Sequence, residues 1–201
     1  MRVTFSEADI VFELPPDADR MSESEFFEFC IANTELNVER DKHGTIEIVA
    51  PVTYHGGRNE LHAAGQLYLW SQQTGLGYAF SSSVGFTLPN GAVRSPDASW
   101  VQKSRHDALP IGEKEKFAHI CPDFVVEIRS ASDSLLRLKT KMTEYMENGC
   151  RLAFLIDPSK QIAWIYEVNK EVVEISGFEQ KLSVGELMPG FSLDLSVFVG
   201  D

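Results

Sequence analysis

The segment 123–156 constrains the fold more than any other part of the sequence, because it has the pattern of a strand, a helix and a second strand. Residues 123–128 are mostly apolar and β-branched, which is typical of a strand buried on both faces of a sheet. Residues 134–148 are predicted to form a helix that stops at Gly149, and residues 152–156 form the next predicted central strand. This order predicts an α/β or α+β fold class with a mixed sheet.

Hydrophobic periodicity and turn residues predict further elements on both sides of this segment. Ser22 and Glu25 have capping-box spacing at the start of a helix that runs to about Asn33. The remaining predicted elements are a β-hairpin (38–40 and 45–49, with a turn at 42–44), a helix (59–74), short β-rich runs (78–101), a loop with a short helix (103–119) and a closing meander (162–166 and 172–175). No repeat or linker divides the sequence, so we expect a single domain spanning residues 1–201.

The composition is that of a soluble globular protein, with 43% hydrophobic and 24% charged residues. No segment approaches the ~18 consecutive apolar residues that a membrane helix needs. The first residues include the acid Glu7 instead of the basic flank and apolar run of a secretory signal. A cytoplasmic location is therefore expected.

The cysteines and histidines contain no recognisable disulfide or zinc pattern. Cys30, Cys121 and Cys150 are an odd set without CxxC spacing, so we expect reduced thiols in the core. A catalytic role for Cys121, which lies two residues after His119, is the less favoured alternative, because free cysteines are mostly buried. The five histidines show neither HExxH nor a close pair suited to zinc.

The formal charge of −12 disfavours a nucleic-acid partner, because phosphate contacts need clustered lysine and arginine. The charge is, however, unevenly distributed. Residues 94–141 hold nine basic side chains and seven acids, whereas the rest of the chain holds nine basic side chains and 23 acids. If two or more of the central acids bind a divalent cation, the central segment becomes locally cationic. A solvated charged surface is the alternative for most of these residues individually.

Glu127 is conspicuous because it places a carboxylate in a predicted central strand. An ionised carboxylate in such a strand costs several kcal/mol of desolvation unless a cation or hydrogen bonds compensate it. One alternative is a salt bridge to a neighbour such as Arg129. The other is a role as ligand of a hard metal ion, since Mg²⁺ takes only one or two protein carboxylates and keeps water and phosphate oxygens at its other positions.

Strand geometry discriminates between two upstream aspartates as the second ligand, Asp97 and Asp123, each of which follows a proline. Asp123 and Glu127 would lie on one strand about 13 Å apart, at ~3.3 Å per residue, which is too far to share an ion. Asp123 is therefore predicted to be a strand-start or turn residue. Asp97 is predicted on a different strand, and a neighbouring strand lies only about 4.8 Å away.

The motifs around these acids resemble a known nuclease family. They are residues 88–100 (LPNGAVRSPDASW), 121–130 (CPDFVVEIRS), 141–145 (KMTEY), Asn148-Gly149 and 155–158 (LIDP). A proline-aspartate on one strand followed by an acid on the next resembles the PD-(D/E)XK superfamily, and the ordered set resembles the Uma-two family of bacterial endonucleases over roughly residues 20–195. The resemblance implies a restriction-endonuclease-like mixed β-sheet core flanked by helices.

The resemblance also implies hydrolysis of phosphodiester bonds in nucleic acid, with DNA as the expected substrate, by a water activated by Mg²⁺ or Mn²⁺. Asp97 and Glu127 would hold the metal ion, and Glu60 matches the acidic position that completes such catalytic sites. An ordinary first-turn helix acid is the alternative interpretation of Glu60. Arg94 and Arg129 are candidates for contact with substrate phosphate.

The sequence departs from the superfamily pattern two residues after the strand acid, where Arg129 replaces the usual lysine. Arginine does not lose its proton in proteins and so cannot act as a general base. The resemblance instead assigns the catalytic lysine to the following helix, at Lys141. Lys139 lies about 200° around a helix from Lys141, so the two cannot both point at one site. A solvated helix lysine is the alternative interpretation of Lys141.

A second hypothesis keeps the fold and drops the chemistry, as a catalytically decayed nuclease-fold module that binds nucleic acid or a protein partner. Arg129 and the charge of −12 favour this hypothesis, whereas retention of Asp97, Glu127 and Lys141 disfavours it. Hydrolysis or binding of another phosphorylated small molecule is a weaker third hypothesis, because the sequence has no Gly-rich phosphate loop. A homodimer is expected from family habit and from the frequency of two-fold assemblies.

Overall fold

The structure is a computed structural model that describes residues 21–49, 51–131 and 133–199. Its helices and strands, in chain order, are α1 (Glu23–Ala32), β1 (Asn37–Arg40), β2 (Ile46–Val49), α2 (Tyr54–Thr74), β3 (Gly77–Ser81), β4 (Phe86–Thr87), β5 (Val93–Arg94), β6 (Ala98–Gln102), α3 (Lys103–Ala108), α4 (Ile111–Lys114), β7 (Ala118–His119), β8 (Phe124–Ile128), α5 (Leu135–Glu147), β9 (Leu152–Asp157), β10 (Ile162–Glu167), β11 (Val173–Ser176), β12 (Lys181–Ser183) and β13 (Ser192–Asp194). Short 3₁₀ helices lie at Gly185–Leu187 and Leu195–Phe198.

The described strands form two larger sheets and a hairpin. The first sheet has five strands in the order β2-β1-β5-β4-β7, the second has six in the order β11-β10-β9-β8-β6-β3, and β12 pairs with β13. The six-stranded sheet is mixed, because β8 and β9 run parallel and its other neighbouring strands are antiparallel. The predicted α/β class with a mixed sheet is confirmed, and the predicted strand, helix and strand are β8, α5 and β9.

Helix α5 begins and ends where its sequence predicts. The Ser134 hydroxyl caps the helix by accepting a hydrogen bond from the backbone N–H of Arg137. Gly149 follows the helix with a φ of 102°, a conformation that residues with a side chain rarely adopt. The inward face of α5 carries Met142 and Tyr145, which are both fully buried.

The six-stranded sheet is covered on both faces. One face packs against α2 and the C-terminal segment, with Leu67 and Phe124 in a common apolar cluster. The other face packs against α5, with Val125 and Tyr145 in a second cluster. Because successive side chains of a strand alternate between faces, Glu127 shares the α5 face with Val125. Strand β8 therefore presents its carboxylate beneath α5.

The predicted N-terminal elements are confirmed with one shift of boundary. Ser22 and Glu25 form the capping box of α1, and β1 pairs with β2 in an antiparallel hairpin. Helix α2 begins at Tyr54 instead of the predicted Asn59, because Thr53 caps it through the backbone N–H of Gly56. Glycine is a poor helix former, so the glycines of this first turn conceal the start of the helix in the sequence.

Two parts of the chain contain more structure than the sequence pattern predicts. The segment 103–119 forms α3, α4 and β7 instead of a loop with one short helix. Beyond β11, the hairpin of β12 and β13 buries Leu182 and Leu193 in the same cluster as α2. These short elements lack the length that a periodic pattern needs to be recognised.

Residues 1–20 lie outside the described residues, and the predicted absence of a secretory signal falls on them. The expectation of a single domain over residues 1–201 therefore stays a prediction. Within the part of the chain that the structure describes, no helix is long and apolar enough to cross a membrane.

Candidate active site

Asp97 and Glu127 face one another at the end of the β6–β8 ladder. Ala98 pairs with Val126 in antiparallel register, so the next step outward places Asp97 opposite Glu127. Residues directly opposite in an antiparallel pair have Cβ atoms about 4.5–5.5 Å apart. The Asp97 side chain is fixed by the backbone N–H of Ile128, which donates to Oδ2 at 2.6 Å. We call these two acids the carboxylate pair.

Burial and mutual repulsion raise the proton affinity of the carboxylate pair. Burial, followed by the negative charge of Glu127, raises the pKa of Asp97 well above its usual value. Burial also raises the pKa of Glu127, although Lys141 opposes that rise. Two buried carboxylates that repel one another are stabilised when a cation neutralises their charge.

Lys141 supplies a positive charge directly at the carboxylate pair. Its Nζ lies 2.9 Å from Oε1 of Glu127 and 2.9 Å from Oε1 of Glu39. Burial disfavours the ammonium form, but the two carboxylates outweigh burial and raise the pKa of Lys141. Lys139 points elsewhere, with its Nζ 4.4 Å from the centroid of the Trp164 ring. The expected divergence of the two lysines on one helix is therefore observed.

Tyr145 orients Glu127 from the same helix. Its hydroxyl donates a hydrogen bond to Oε1 of Glu127 at 2.9 Å. Burial and the charge of Glu127 raise the pKa of Tyr145 well above its usual value, so the hydroxyl keeps its proton and stays a donor. Lys141 and Tyr145 are four residues apart and so reach Glu127 from adjacent turns of α5.

Glu39 belongs to this site and was missed by the sequence analysis. It is only 3% exposed, and its Oε1 accepts hydrogen bonds from Lys141 and from the backbone N–H of Ser95 at 2.8 Å. Burial would raise its pKa, but Lys141, the Ser95 N–H and Arg94 together lower it. The register of the hairpin sets Glu39 directly opposite Glu47. That juxtaposition of like charges was the available signal, because it requires a cation between them.

Arg94 is that cation. Its guanidinium contacts Glu39 at 3.2 Å, Glu47 at 3.3 Å and Glu144 at 2.7 Å. Arg94 is itself buried, and these carboxylates hold its pKa above the usual range. The predicted contact of Arg94 with substrate phosphate stays a prediction, and its ion pairs favour a role in holding Glu39.

Arg129 forms its ion pair with Asp157 and not with Glu127. Its Nη1 lies 2.6 Å from Oδ2 of Asp157 at the end of β9, and its Nε donates to the backbone oxygen of Asp133. Lys141, and not Arg129, is thus the cation in contact with Glu127. The Arg129 side chain is 20% exposed, and its predicted contact with phosphate stays a prediction.

Glu60 approaches the carboxylate pair from α2. The Ser82 hydroxyl donates to its Oε2 at 3.3 Å, and burial raises its pKa. The charge of Glu60 is also among the causes that raise the pKa of Asp97. The sequence pattern predicted Glu60 in the first turn of its helix, but α2 begins earlier, so Glu60 lies beyond the first turn. A favourable interaction with the helix N-terminus therefore does not explain this acid.

Two residues that the sequence analysis set aside have structural roles. Asp123 precedes β8, pairs with Arg105 at 2.9 Å and accepts a hydrogen bond from the backbone N–H of Gln102. Burial raises the pKa of the Cys121 thiol to about 12, which removes the thiolate that nucleophilic catalysis needs. Cys121 and Cys150 are free and buried, as predicted for core thiols, whereas Cys30 is free but only partly buried.

The carboxylate pair fits a hard divalent cation by its chemistry. Its side-chain oxygens are the donors that Mg²⁺ and Mn²⁺ prefer, and Mg²⁺ is held by only one or two protein carboxylates. Among the described residues, no group of three or more His, Cys, Asp or Glu side chains is arranged to hold a metal ion. A cation at this site would therefore be coordinated by two acids, and water and substrate would supply its remaining ligands.

Comparisons with known proteins identify the family and the fold. A sequence model of the family Uma2, described as "Putative restriction endonuclease", matches residues 23–196. The fold is similar to that of a crystal structure described as a "putative nuclease belonging to DUF820" from Anabaena variabilis ATCC 29413, with a TM-score of 0.72 and 18% sequence identity over 89% of this chain and 97% of that chain. None of the curated proteins matches the chain.

The two findings have different weight. At 18% identity the structural likeness concerns the fold alone, and it confirms the predicted nuclease-like fold. The family match supports a nuclease-like function. Because that match covers most of the sequence and includes the motifs around Asp97, Glu127 and Lys141, the chain belongs to the Uma2 family.

Proposed function

We propose that the protein is a metal-dependent endonuclease that hydrolyses phosphodiester bonds of nucleic acid, with DNA as its substrate. The observation that carries this proposal is the carboxylate pair, in which Asp97 and Glu127 face one another with raised pKa values and Lys141 in contact. Two repelling carboxyl groups in one buried site are an arrangement that suits a hard cation, and perturbed pKa values of this kind cluster at functional sites.

Asp97 and Glu127 would hold Mg²⁺ or Mn²⁺, and Glu60, whose charge raises the pKa of Asp97, would bind a water of the same site. When bound, such an ion supplies a Lewis acid for a phosphate oxygen and for the attacking water. The ammonium of Lys141 neutralises negative charge that develops on the phosphate. Because the carboxylates keep Lys141 protonated, its ammonium stabilises negative charge and does not act as a general base.

The experiment is a cleavage assay on purified protein. Single- and double-stranded DNA and RNA are incubated with Mg²⁺, Mn²⁺ or EDTA, beside the variants Asp97→Asn and Glu127→Gln. Glu147→Gln is the matched control, since Glu147 is an exposed acid on α5. We expect cleavage of DNA that requires the cation, is lost in both site variants and persists in the control.

The same assay discriminates against the decayed-module hypothesis. Cleavage that persists in both Asp97→Asn and Glu127→Gln would contradict the proposed site. Binding of nucleic acid that is independent of a cation and is not followed by cleavage would replace the proposal with a binding module.

We also propose that the protein is a homodimer and acts in the cytoplasm. Helix α2 presents an apolar stripe on the side opposite its buried face, where Tyr54 is 88%, Leu61 71% and Tyr68 54% exposed. These residues recur every seven positions and lie symmetrically about Leu61, which suits an antiparallel contact between two copies. Light scattering should give twice the chain mass for the wild type and a monomer for Leu61→Glu; a monomeric wild type would contradict the proposed dimer.

A further inference from the structure

Lys141 is shared between two buried carboxylates that belong to different sheets. Glu127 comes from β8 of the six-stranded sheet, and Glu39 comes from β1 of the five-stranded sheet. The ammonium lies 2.9 Å from an oxygen of each. In the proposed function Lys141 needs contact with the reaction site, which Glu127 provides, so the role of the second carboxylate calls for an explanation.

Glu39 has fixed partners besides Lys141. The backbone N–H of Ser95 donates to its Oε1 at 2.8 Å, and the Arg94 guanidinium contacts its Oε2 at 3.2 Å. Ser95 lies two residues before Asp97, so the same hydrogen bond fixes Glu39 relative to the carboxylate pair. Glu39 therefore keeps its position whether or not Lys141 is engaged with Glu127.

A divalent cation on the carboxylate pair changes the environment of Lys141. The cation neutralises the negative charge of Glu127, and it repels the Lys141 ammonium, which contacts the same carboxylate. With Glu127 as its sole partner, Lys141 would compete with the cation for that carboxylate. Glu39 gives the ammonium a second, fixed partner on its other side.

We propose that Glu39 is a positioning residue that keeps Lys141 in the active site while the carboxylate pair holds a divalent cation. This inference rests on the proposed function, because it presumes that Asp97 and Glu127 bind the ion. Glu39 thereby makes two positive charges compatible within one buried site. The structural alternative is that Glu39 merely helps Arg94 to join the hairpin to the rest of the fold.

The test is a double-mutant cycle on Mn²⁺ affinity, measured by electron paramagnetic resonance on the purified chain without nucleic acid. The four proteins are the wild type, Glu39→Gln, Lys141→Met and the double variant. We expect Glu39→Gln to weaken Mn²⁺ binding roughly tenfold in the wild-type background, since close charge pairs couple by that order of magnitude. In the Lys141→Met background the same change should have little effect, because no ammonium remains to be retained.

Glu47→Gln is the matched control for the cycle. Glu47 lies opposite Glu39 on the hairpin and shares its contact with Arg94, but its other ion pair is with Arg137. Its effect on Mn²⁺ affinity should be the same with and without Lys141. Thermal unfolding of each variant checks that it folds, and Glu39→Asp, which retains the charge on a shorter side chain, should give an intermediate affinity.

The outcomes separate this inference from the proposed function. If wild-type protein binds Mn²⁺ and Asp97→Asn does not, but Glu39→Gln has an equal effect or none in both backgrounds, then only the role of Glu39 is wrong. If the wild type does not bind Mn²⁺, the metal site and the role of Glu39 are both wrong. A cycle in which Glu39 and Lys141 are coupled, while Glu47 and Lys141 are not, supports the positioning role.

Discussion

At the scale of single residues, the site depends on one relation of register. Asp97 and Glu127 are thirty positions apart in the sequence, and the antiparallel pairing of Ala98 with Val126 brings them opposite one another. Their repulsion is unfavourable for the metal-free fold, as the raised pKa of Asp97 indicates. Relief of that repulsion by a cation gives the proposed site its affinity.

This repulsion predicts that Asp97→Asn stabilises the metal-free protein near neutral pH, by on the order of 1 kcal/mol. Asparagine has no charge to repel Glu127, and its side-chain oxygen can still accept the hydrogen bond from the Ile128 N–H. The stability of both proteins is to be measured by thermal unfolding between pH 4 and pH 8 in EDTA, and again with Mg²⁺.

The expected dependence on pH follows from the direction of the shift. Because the folded pKa of Asp97 lies above its unfolded value of about 3.9, the unfolded chain loses that proton first as the pH rises. Wild-type stability should therefore fall relative to Asp97→Asn from about pH 4 up to the folded pKa. Added Mg²⁺ should stabilise the wild type alone. If Asp97→Asn were less stable than the wild type in EDTA at every pH, that result would refute the repulsion between Asp97 and Glu127.

The sequence predicts the site acids better than it predicts their partners. Asp97 could be preferred to Asp123 because strand spacing excludes a shared ion for acids four residues apart on one strand. Glu39 was missed although the hairpin sets it opposite another acid, because a short alternating hairpin does not reveal which of its faces is buried. The pair of Arg129 with Asp157 likewise depends on the parallel register of β8 and β9.

At the scale of elements, the buried guanidinium of Arg94 joins the hairpin to the rest of the site. Arg94 on β5 contacts Glu39 on β1, Glu47 on β2 and Glu144 on α5. These contacts hold the five-stranded sheet against α5, which carries Lys141. The position of the proposed catalytic lysine thus depends on the docking of the hairpin.

Arg94→Met should destabilise the protein by about 3–5 kcal/mol, because it leaves buried carboxylates without their cation. Chemical denaturation with urea measures the change in the free energy of unfolding. Lys103→Met is the control, since Lys103 is half exposed in its ion pair with Asp107 and should cause a much smaller loss. Equal losses in the two variants would mean that the Arg94 network contributes no more than a surface pair.

Elements were predictable where local signals and tertiary packing agree. Helix α5 has a capping serine, a periodic inward face and a terminal glycine, so its bounds follow from the sequence. The start of α2 is concealed by glycines at positions where a cap and packing outweigh intrinsic propensity. The hairpin of β12 and β13 is too short for its strands to show alternation, and its burial against α2 is a property of the whole fold.

At the scale of the whole molecule, charge opposes the proposed substrate. The formal charge is −12, and six of the nine basic residues in 94–141 form ion pairs with carboxylates of the protein itself. Those cations are therefore largely neutralised by the protein itself. Affinity for a polyanion should accordingly depend on the cation that the carboxylate pair binds.

Binding of DNA should accordingly be weak in EDTA and stronger in Ca²⁺, a divalent cation with the same preference for oxygen ligands. Fluorescence anisotropy with a labelled duplex at fixed ionic strength measures the two affinities, and we expect the ratio to reach about tenfold or more. Asp97→Asn is the control and should bind equally with and without Ca²⁺. Equal binding by the wild type in the two buffers would show that the metal site does not contribute to substrate affinity.

The most direct test of the proposed catalytic site is the single-turnover rate of duplex DNA cleavage in Mn²⁺, compared between the wild type, Asp97→Asn and Glu147→Gln. We expect Asp97→Asn to lose about 10²- to 10³-fold in rate, since removal of a group that contributes to charge stabilisation in the transition state has effects of that size. Glu147→Gln should cleave at the wild-type rate. Cleavage by Asp97→Asn at a rate within a few-fold of the wild type would contradict the account.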